Sequence, residues 1–173
     1  MAPWRPDRFC QRQLGRGADR LPRGALPESF REALLTATLT ATPSDDTGHA
    51  EGAAELAGRL APRAREADAS ALPPTEGAVL AVGGTDDIAA LRAAQMAGDA
   101  PPVALLGGSR AWVERDADDR LWMFVSADEA ADFAGLHALR YYVGPSYAAF
   151  DGGRPTVTGT WPVVRNPLRV YLK

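Results

Sequence analysis

Few residues in this chain have the type and spacing to carry chemistry, and Gly83-Gly84-Thr85 comes closest. It follows a short apolar run and precedes a helix-forming stretch, where phosphate-binding loops present the free amides of a helix N-terminus. The pattern is otherwise wrong: there is no G-x-G-x-x-G and no P-loop lysine, and Asp86 and Asp87 would repel a phosphate. The stretch therefore reads as a helix-capping turn, with Thr85 as the cap. Zinc hydrolysis needs closely spaced histidines with carboxylates, and the only histidines are His49 and His137. His49 with Glu51 and Glu55 matches no standard ligand set, and His137, shortly before Arg140 and Tyr141, reads as a surface or partly packed side chain.

Nucleophilic chemistry has no better footing. Ser109 follows Gly107-Gly108 and Ser146 follows Gly144-Pro145, but neither forms Gly-x-Ser-x-Gly, so both are turn residues. Asp116, Asp118 and Asp119 lack the glycine and distal glutamate of a calcium loop and read as a solvated hairpin tip. No catalytic residue, metal ligand or cofactor is assigned. The single cysteine, Cys10, leaves no intramolecular disulfide and no cysteine-built zinc site.

The chain as a whole narrows the classes further. Its 173 residues suffice for one sizeable core, and 46% hydrophobic with 24% charged residues is globular composition. A net charge of -3 is not the basic excess that neutralises phosphates, so nucleic-acid binding is not expected. Lys173 is the only lysine among 19 basic residues, which with the abundant alanine points to a GC-rich, bacterial genome rather than to anion recognition. No stretch has the roughly 18 to 20 apolar residues of a membrane span. The arginines at positions 5, 8, 12, 16 and 20 come without the apolar region of a secretory signal, so a cytoplasmic location is expected.

The elements follow from periodicity. Residues 1–26, rich in proline and glycine, read as an extended or disordered arm before an α/β domain over 27–173. A helix is expected to start at Pro27-Glu28-Ser29. Over 33–42, threonines alternate with alanine and leucine, and strand is preferred to helix. His49 to Asp68 reads as a helix kinked at Pro62. Ala78 to Val82 is a buried strand, Gly83-Gly84 turns the chain, and a helix from Thr85 to Gly98 leads to a second buried strand at Val103 to Leu106, a βαβ unit. Residues 110–115 and 121–125 form a hairpin, Ser126 caps a helix carrying Phe133, Leu136 and Leu139, and Tyr147 to Phe150 is a strand closed by Asp151-Gly152-Gly153. Leu168, Val170 and Leu172 mark a half-buried edge strand. The expected fold is α/β: a mixed, mostly parallel sheet with flanking helices and an antiparallel hairpin, best defined over 77–173.

From residue 77 onward, several short motifs occur in order. They are Leu80-Ala81-Val82-Gly83-Gly84-Thr85-Asp86-Asp87, Leu139 to Tyr147, Phe150-Asp151-Gly152, Gly159-Thr160-Trp161-Pro162 and Asn166-Pro167-Leu168. In this region the chain resembles the C-terminal α/β region behind the zinc domain of bacterial gluzincin-type aminopeptidase-like proteins. The first 76 residues do not share in the resemblance, and the zinc motif is missing. Neither metal nor peptidase activity is therefore carried over to any residue, and the resemblance implies a detached accessory domain.

Two functions remain. The first is a non-catalytic accessory or protein-interaction domain, with a protein partner or self-association, suggested by missing chemistry beside aromatic-rich strands. The alternative is a small enzyme or ligand-binding domain with its site at the C-terminal ends of the parallel strands, at Gly83, Gly84, Thr85, Gly107 and Gly108, with His137 and Tyr141 as neighbours.

Overall fold

The computed structural model describes residues 29–44, 46–67, 77–142 and 144–161. The expected arm over 1–26, the helix start at Pro27 and the strand around Leu168 to Leu172 lie outside the described residues. Helix α1, Phe30–Thr36, begins one residue after Ser29, whose hydroxyl accepts from the Glu32 amide. The chain then passes directly into strand β1, Ala37–Ala41. The strand expected over 33–42 is thus half helix. Thr36 is the last helical residue, and its hydroxyl donates to the Glu32 carbonyl at 2.8 Å.

Helix α2, Thr47–Leu60, is capped by the Asp46 carboxylate. It stops before Pro62 rather than kinking there, and strand β2, Arg65–Glu66, follows. Proline can neither donate to the helical ladder nor fit its interior, so termination is the cheaper solution. Strand β3, Ala78–Gly84, is buried along its whole length and contains both glycines. The expected Gly83-Gly84 turn does not exist: the strand runs straight into helix α3, Thr85–Gln95, with Gly84 as the cap residue.

After α3 the expected second buried strand is instead a 3-10 segment, Pro102–Leu105, with Leu105 75% exposed. No βαβ unit forms here, because the chain returns as strand β4, Ser109–Arg115, antiparallel to strand β5, Leu121–Ala127. A run of 3-10 turns, Ala130–Tyr141, leads to strand β6, Tyr147–Asp151, and strand β7, Arg154–Gly159. The helix expected after a Ser126 cap is therefore a 3-10 segment starting three residues later, and Ser126 itself lies within β5. Gly152 and Gly153, with φ of 52° and 77°, make the tight β6–β7 turn.

The seven strands among the described residues form one sheet in the order β2-β1-β3-β5-β4-β6-β7. β1 pairs in parallel with β2 and β3, and β3 with β5, while the β5-β4-β6-β7 side is antiparallel. This is the mixed α/β sheet with flanking helices and a hairpin that the periodicity implied.

Successive residues of β3 point to opposite faces, and this assigns the layers. A Cβ on Gly83 would face Ile88 of α3, whereas one on Gly84 would face His49 of α2. On the α2 face, Leu80, Val82, Met123 and Val125 meet Phe30, Leu56, Phe133, Leu136 and Leu139 in one apolar core. On the α3 face an aromatic row crosses three strands. Trp122 stacks on Phe124 at 5.7 Å between centroids, Phe124 on Trp112 at 5.3 Å, and Tyr147 packs on Trp161 at 4.5 Å. All five rings are buried.

Arg92 of α3 closes this face over β4. Its Nε and Nη2 donate to the two oxygens of Glu114, each at 2.8 Å, and Nη2 also donates to the Asp99 carbonyl at 2.8 Å. Glu114 accepts in addition from Trp112 Nε1 at 2.6 Å. Opposite, at the hairpin loop, Asp116 is not part of a solvated tip. Its carboxylate is 6% exposed and accepts from the amides of Asp118 and Arg120 and from Trp122 Nε1. Only Asp118 and Asp119 face solvent.

Gly83 is required by close approach. A Cβ there would lie 2.7 Å from the Pro43 carbonyl oxygen, a backbone atom that cannot swing aside. Gly83→Ala is expected to destabilise by about 1 to 2 kcal/mol, a cost of overpacking measurable by urea denaturation.

Candidate functional site

The C-terminal ends of β3 and β5 and the beginning of β4 meet at one edge of the sheet, where open α/β sheets place ligands. The end of β3 leads into Thr85, the loop before β4 delivers Gly108, β4 itself delivers Arg110, and the end of β5 leads into Asp128. Thr85 lies at the first position of α3, but its hydroxyl does not cap the helix. It donates to Asp128 Oδ1 at 2.5 Å. The Gly108 amide donates to Asp128 Oδ2 at 2.7 Å, and Arg110 Nη2 donates to Asp128 Oδ1 at 2.6 Å and to Thr85 Oγ1 at 2.5 Å.

Arg110 is 4% exposed, and its Nη1 donates to the carbonyls of Ala104 and Leu106. The guanidinium thus ties the first 3-10 segment, β3, β4 and β5 together. Burial works to raise the Asp128 pKa, but the Thr85 hydroxyl, the Gly108 amide and the Arg110 charge outweigh it and hold the carboxyl below its ordinary value.

Beside this network stands His49 in the first turn of α2. Its Nδ1 is 2.9 Å from Asp46 Oδ2, the same oxygen that accepts the His49 amide at 3.0 Å. The ring packs edge-on against Phe133 at 6.0 Å and lies over Gly84. The Asp46 hydrogen bond is the main cause of a raised His49 pKa, and the main-chain carbonyl of Asp128 acts in the same direction. The Asp46 carboxyl is lowered, first by the His49 amide and then by its ring.

The sequence-derived candidates are therefore only partly brought together. Thr85 and Gly108 converge on Asp128, and Gly84 lies beneath His49. Gly83 faces the opposite side of the sheet towards Ile88, and nothing lies within 4 Å of a Cβ built on Gly107. His137 and Tyr141 are exposed and bonded within their own segment, His137 Nδ1 to the Ala134 carbonyl and Tyr141 to Arg140.

Sequence reasoning missed Arg110, Asp128, Asp46 and His49 as members of this edge. The available signal was an arginine at the start of a strand, directly before the apolar run Ala111-Trp112-Val113. A buried guanidinium of that kind must find acceptors nearby.

The network's groups are engaged with one another, except Arg110 Nε, which is buried without a hydrogen-bond partner. Thr85 has no base positioned to activate it, since its hydroxyl donates to a carboxylate whose pKa is lowered. Among the described residues, no three of His, Cys, Asp and Glu are grouped to hold a metal ion, and no helix is long and apolar enough to cross a membrane. No family model matches the chain, and no curated protein or solved structure is found to match it either.

Proposed function

We propose that the chain is a non-catalytic accessory domain that works by protein interaction, self-association through the edge strand of its described sheet being the mode. The observation that carries this reading is β7. Among the described strands it pairs on one side only, with β6, and Arg154, Pro155, Thr156 and Thr158 are exposed. An edge strand presents a row of amides and carbonyls that templates another strand. At the opposite edge, β2 is only two residues long and offers far less.

Pro155 removes one amide, and the register slips between Ala149 and Phe150. Pairing is thereby confined to Thr156–Gly159, a short run suited to reversible association. Two antiparallel copies of β7 related by a two-fold axis would make the contact self-complementary. The carboxyl edge supports the same reading from the other direction, because the chain's own Asp128 carboxylate takes up the Thr85 hydroxyl, the Gly108 amide and Arg110 Nη2. The resemblance of residues 77 onward to a region standing behind a zinc domain supports the accessory role.

Sedimentation over a concentration series tests the proposal. The expected result is a monomer–dimer equilibrium that disappears in Thr156→Lys/Thr158→Lys, where like charges face each other across the two-fold. A strictly monomeric chain, or a dimer indifferent to the lysines, overturns it.

A further inference from the structure

Strand β7 is held at both ends by contacts that only glycine permits. At its start, the second 3-10 segment, Ala130–Tyr141, touches the β6–β7 turn backbone to backbone. A Cβ on Gly135 would lie 2.6 Å from Gly153 Cα and 3.1 Å from Gly153 N, and one on Gly153 would lie 2.9 Å from Gly135 Cα. Gly153 is also required by the turn, but Gly135 has no positive φ and serves the contact alone. The segment is itself backed by α2, where Gly52 lies so close to Phe133 that a Cβ would fall 2.7 Å from Cδ2.

At the far end, Gly159 lies directly opposite Tyr147, and a Cβ there would collide with the Tyr147 phenol. An aromatic ring laid over a strand glycine supplies the packing that the glycine lacks. That ring is fixed in turn: it packs on Trp161 at 4.5 Å between centroids, and Trp161 Nε1 donates to the Val113 carbonyl at 2.6 Å. The first contact is made with the α2 layer and the second with the aromatic row on the α3 face. Contacts at opposite ends and on opposite faces fix the twist of a strand as well as its position. Between them Ala149 faces Val157 and Phe150 faces Pro155, which leaves Thr156 as the extra residue, its hydroxyl donating to the Ala149 carbonyl at 3.2 Å. Such a bulge bends and twists its strand, and the two end contacts set by how much.

We propose that Gly135 and Tyr147 are the positioning residues of the interaction edge: by seating Gly153 and Gly159 they hold β7, before a partner arrives, in the geometry with which a second copy's β7 pairs. This rests on the self-association reading above. An edge already ordered in the monomer loses little conformational freedom on pairing, so the two seats act on the dimer constant and not only on the fold.

Hydrogen exchange and sedimentation on the full chain test this together. In the parent, at a dilution where it is monomeric, amides of the β6–β7 ladder are expected to exchange as slowly as those of the β4–β6 ladder. Gly135→Ala and Gly159→Ala are each expected to speed exchange in the β6–β7 ladder several-fold, to leave β3 and β5 unchanged, and to weaken dimerisation by about tenfold. Gly83→Ala, on β3 and four strands away from β7, is the control for lost stability. It is expected to lower the urea midpoint and leave the dimer constant alone. A parent that stays monomeric at every concentration overturns both this proposal and the self-association reading. A parent that dimerises while its monomer frays at β6–β7 overturns the seats alone, as does a folded Gly135→Ala or Gly159→Ala that dimerises like the parent. Equal weakening by Gly83→Ala also overturns them, because the loss would then follow stability. Should neither seat variant fold, exchange in the parent decides.

Discussion

Replacing Arg92 with methionine is expected to cost about 3 to 5 kcal/mol of folding stability, seen as a lowered midpoint in urea denaturation. Arg92 and Glu114 are 7% and 13% exposed and meet through two parallel hydrogen bonds. Removing the guanidinium leaves a carboxylate beneath α3 with no counter-charge. It also frees the Asp99 carbonyl from its donor. Trp112 still donates to Glu114, but one neutral donor does not offset a buried charge. The double variant Arg92→Met/Glu114→Gln removes the charge and keeps an acceptor for the indole. It is expected to lose less than Arg92→Met alone. A double variant as unstable as the sum of the two single variants would show that the pair is not coupled as its geometry requires.

Arg110→Met is the second large effect, at about 2 to 4 kcal/mol. The buried guanidinium is the donor for two backbone carbonyls, for the Thr85 hydroxyl and for the Asp128 carboxylate. The cost falls below that of Arg92 because Asp128 is 44% exposed and rehydrates when its partner is gone. The loss has a pH signature. The Asp128 carboxyl is lowered in the folded chain, so the stability it adds is present above about pH 4 and is lost as pH falls through its folded value. Without Arg110 the folded and unfolded values draw together, and the acid limb of the stability curve is expected to flatten.

Both arginines carry an argument that sequence pattern did not supply. The strand-forming run Leu121 to Val125, the buried run Ala78 to Val82 and the glycine pair after Asp151 were enough to place β5, β3 and the end of β6, because in each the side-chain pattern and the backbone requirement agree. Val103 to Leu106 misled because a four-residue apolar run has the same composition whether it lies in a sheet or closes a 3-10 turn after Pro102. The exposure of Leu105 separates the two only in three dimensions.

β2 and β7 were invisible for the opposite reason. Arg65–Glu66 is too short to show a period, and Arg154–Gly159 carries a proline and a glycine that normally mark loops. At the carboxyl edge, Thr85 and Gly108 were legible as turn residues near strand ends. Their common partner was not. Asp128 reads as an ordinary acid in the first turn of a helix, and it joins Thr85 across 43 positions through β3–β5 pairing. Sequence spacing does not report a contact that only a completed sheet creates.

That separation sets an order of events when the chain folds. The β4–β5 hairpin closes over five residues around Asp116, and β6–β7 closes over two, so their ends meet at little entropic cost. β3 must instead travel past α3 and the whole hairpin to reach β5. High sequence separation slows that step, and the preformed hairpin supplies the edge on which it occurs. The Thr85 contact to Asp128 cannot exist before β3 docks, whereas those of Gly108 and Arg110 lie within the β4–β5 hairpin. A substitution at Thr85 is therefore expected to speed unfolding and leave the folding rate nearly unchanged, whereas one at Asp116 slows folding itself.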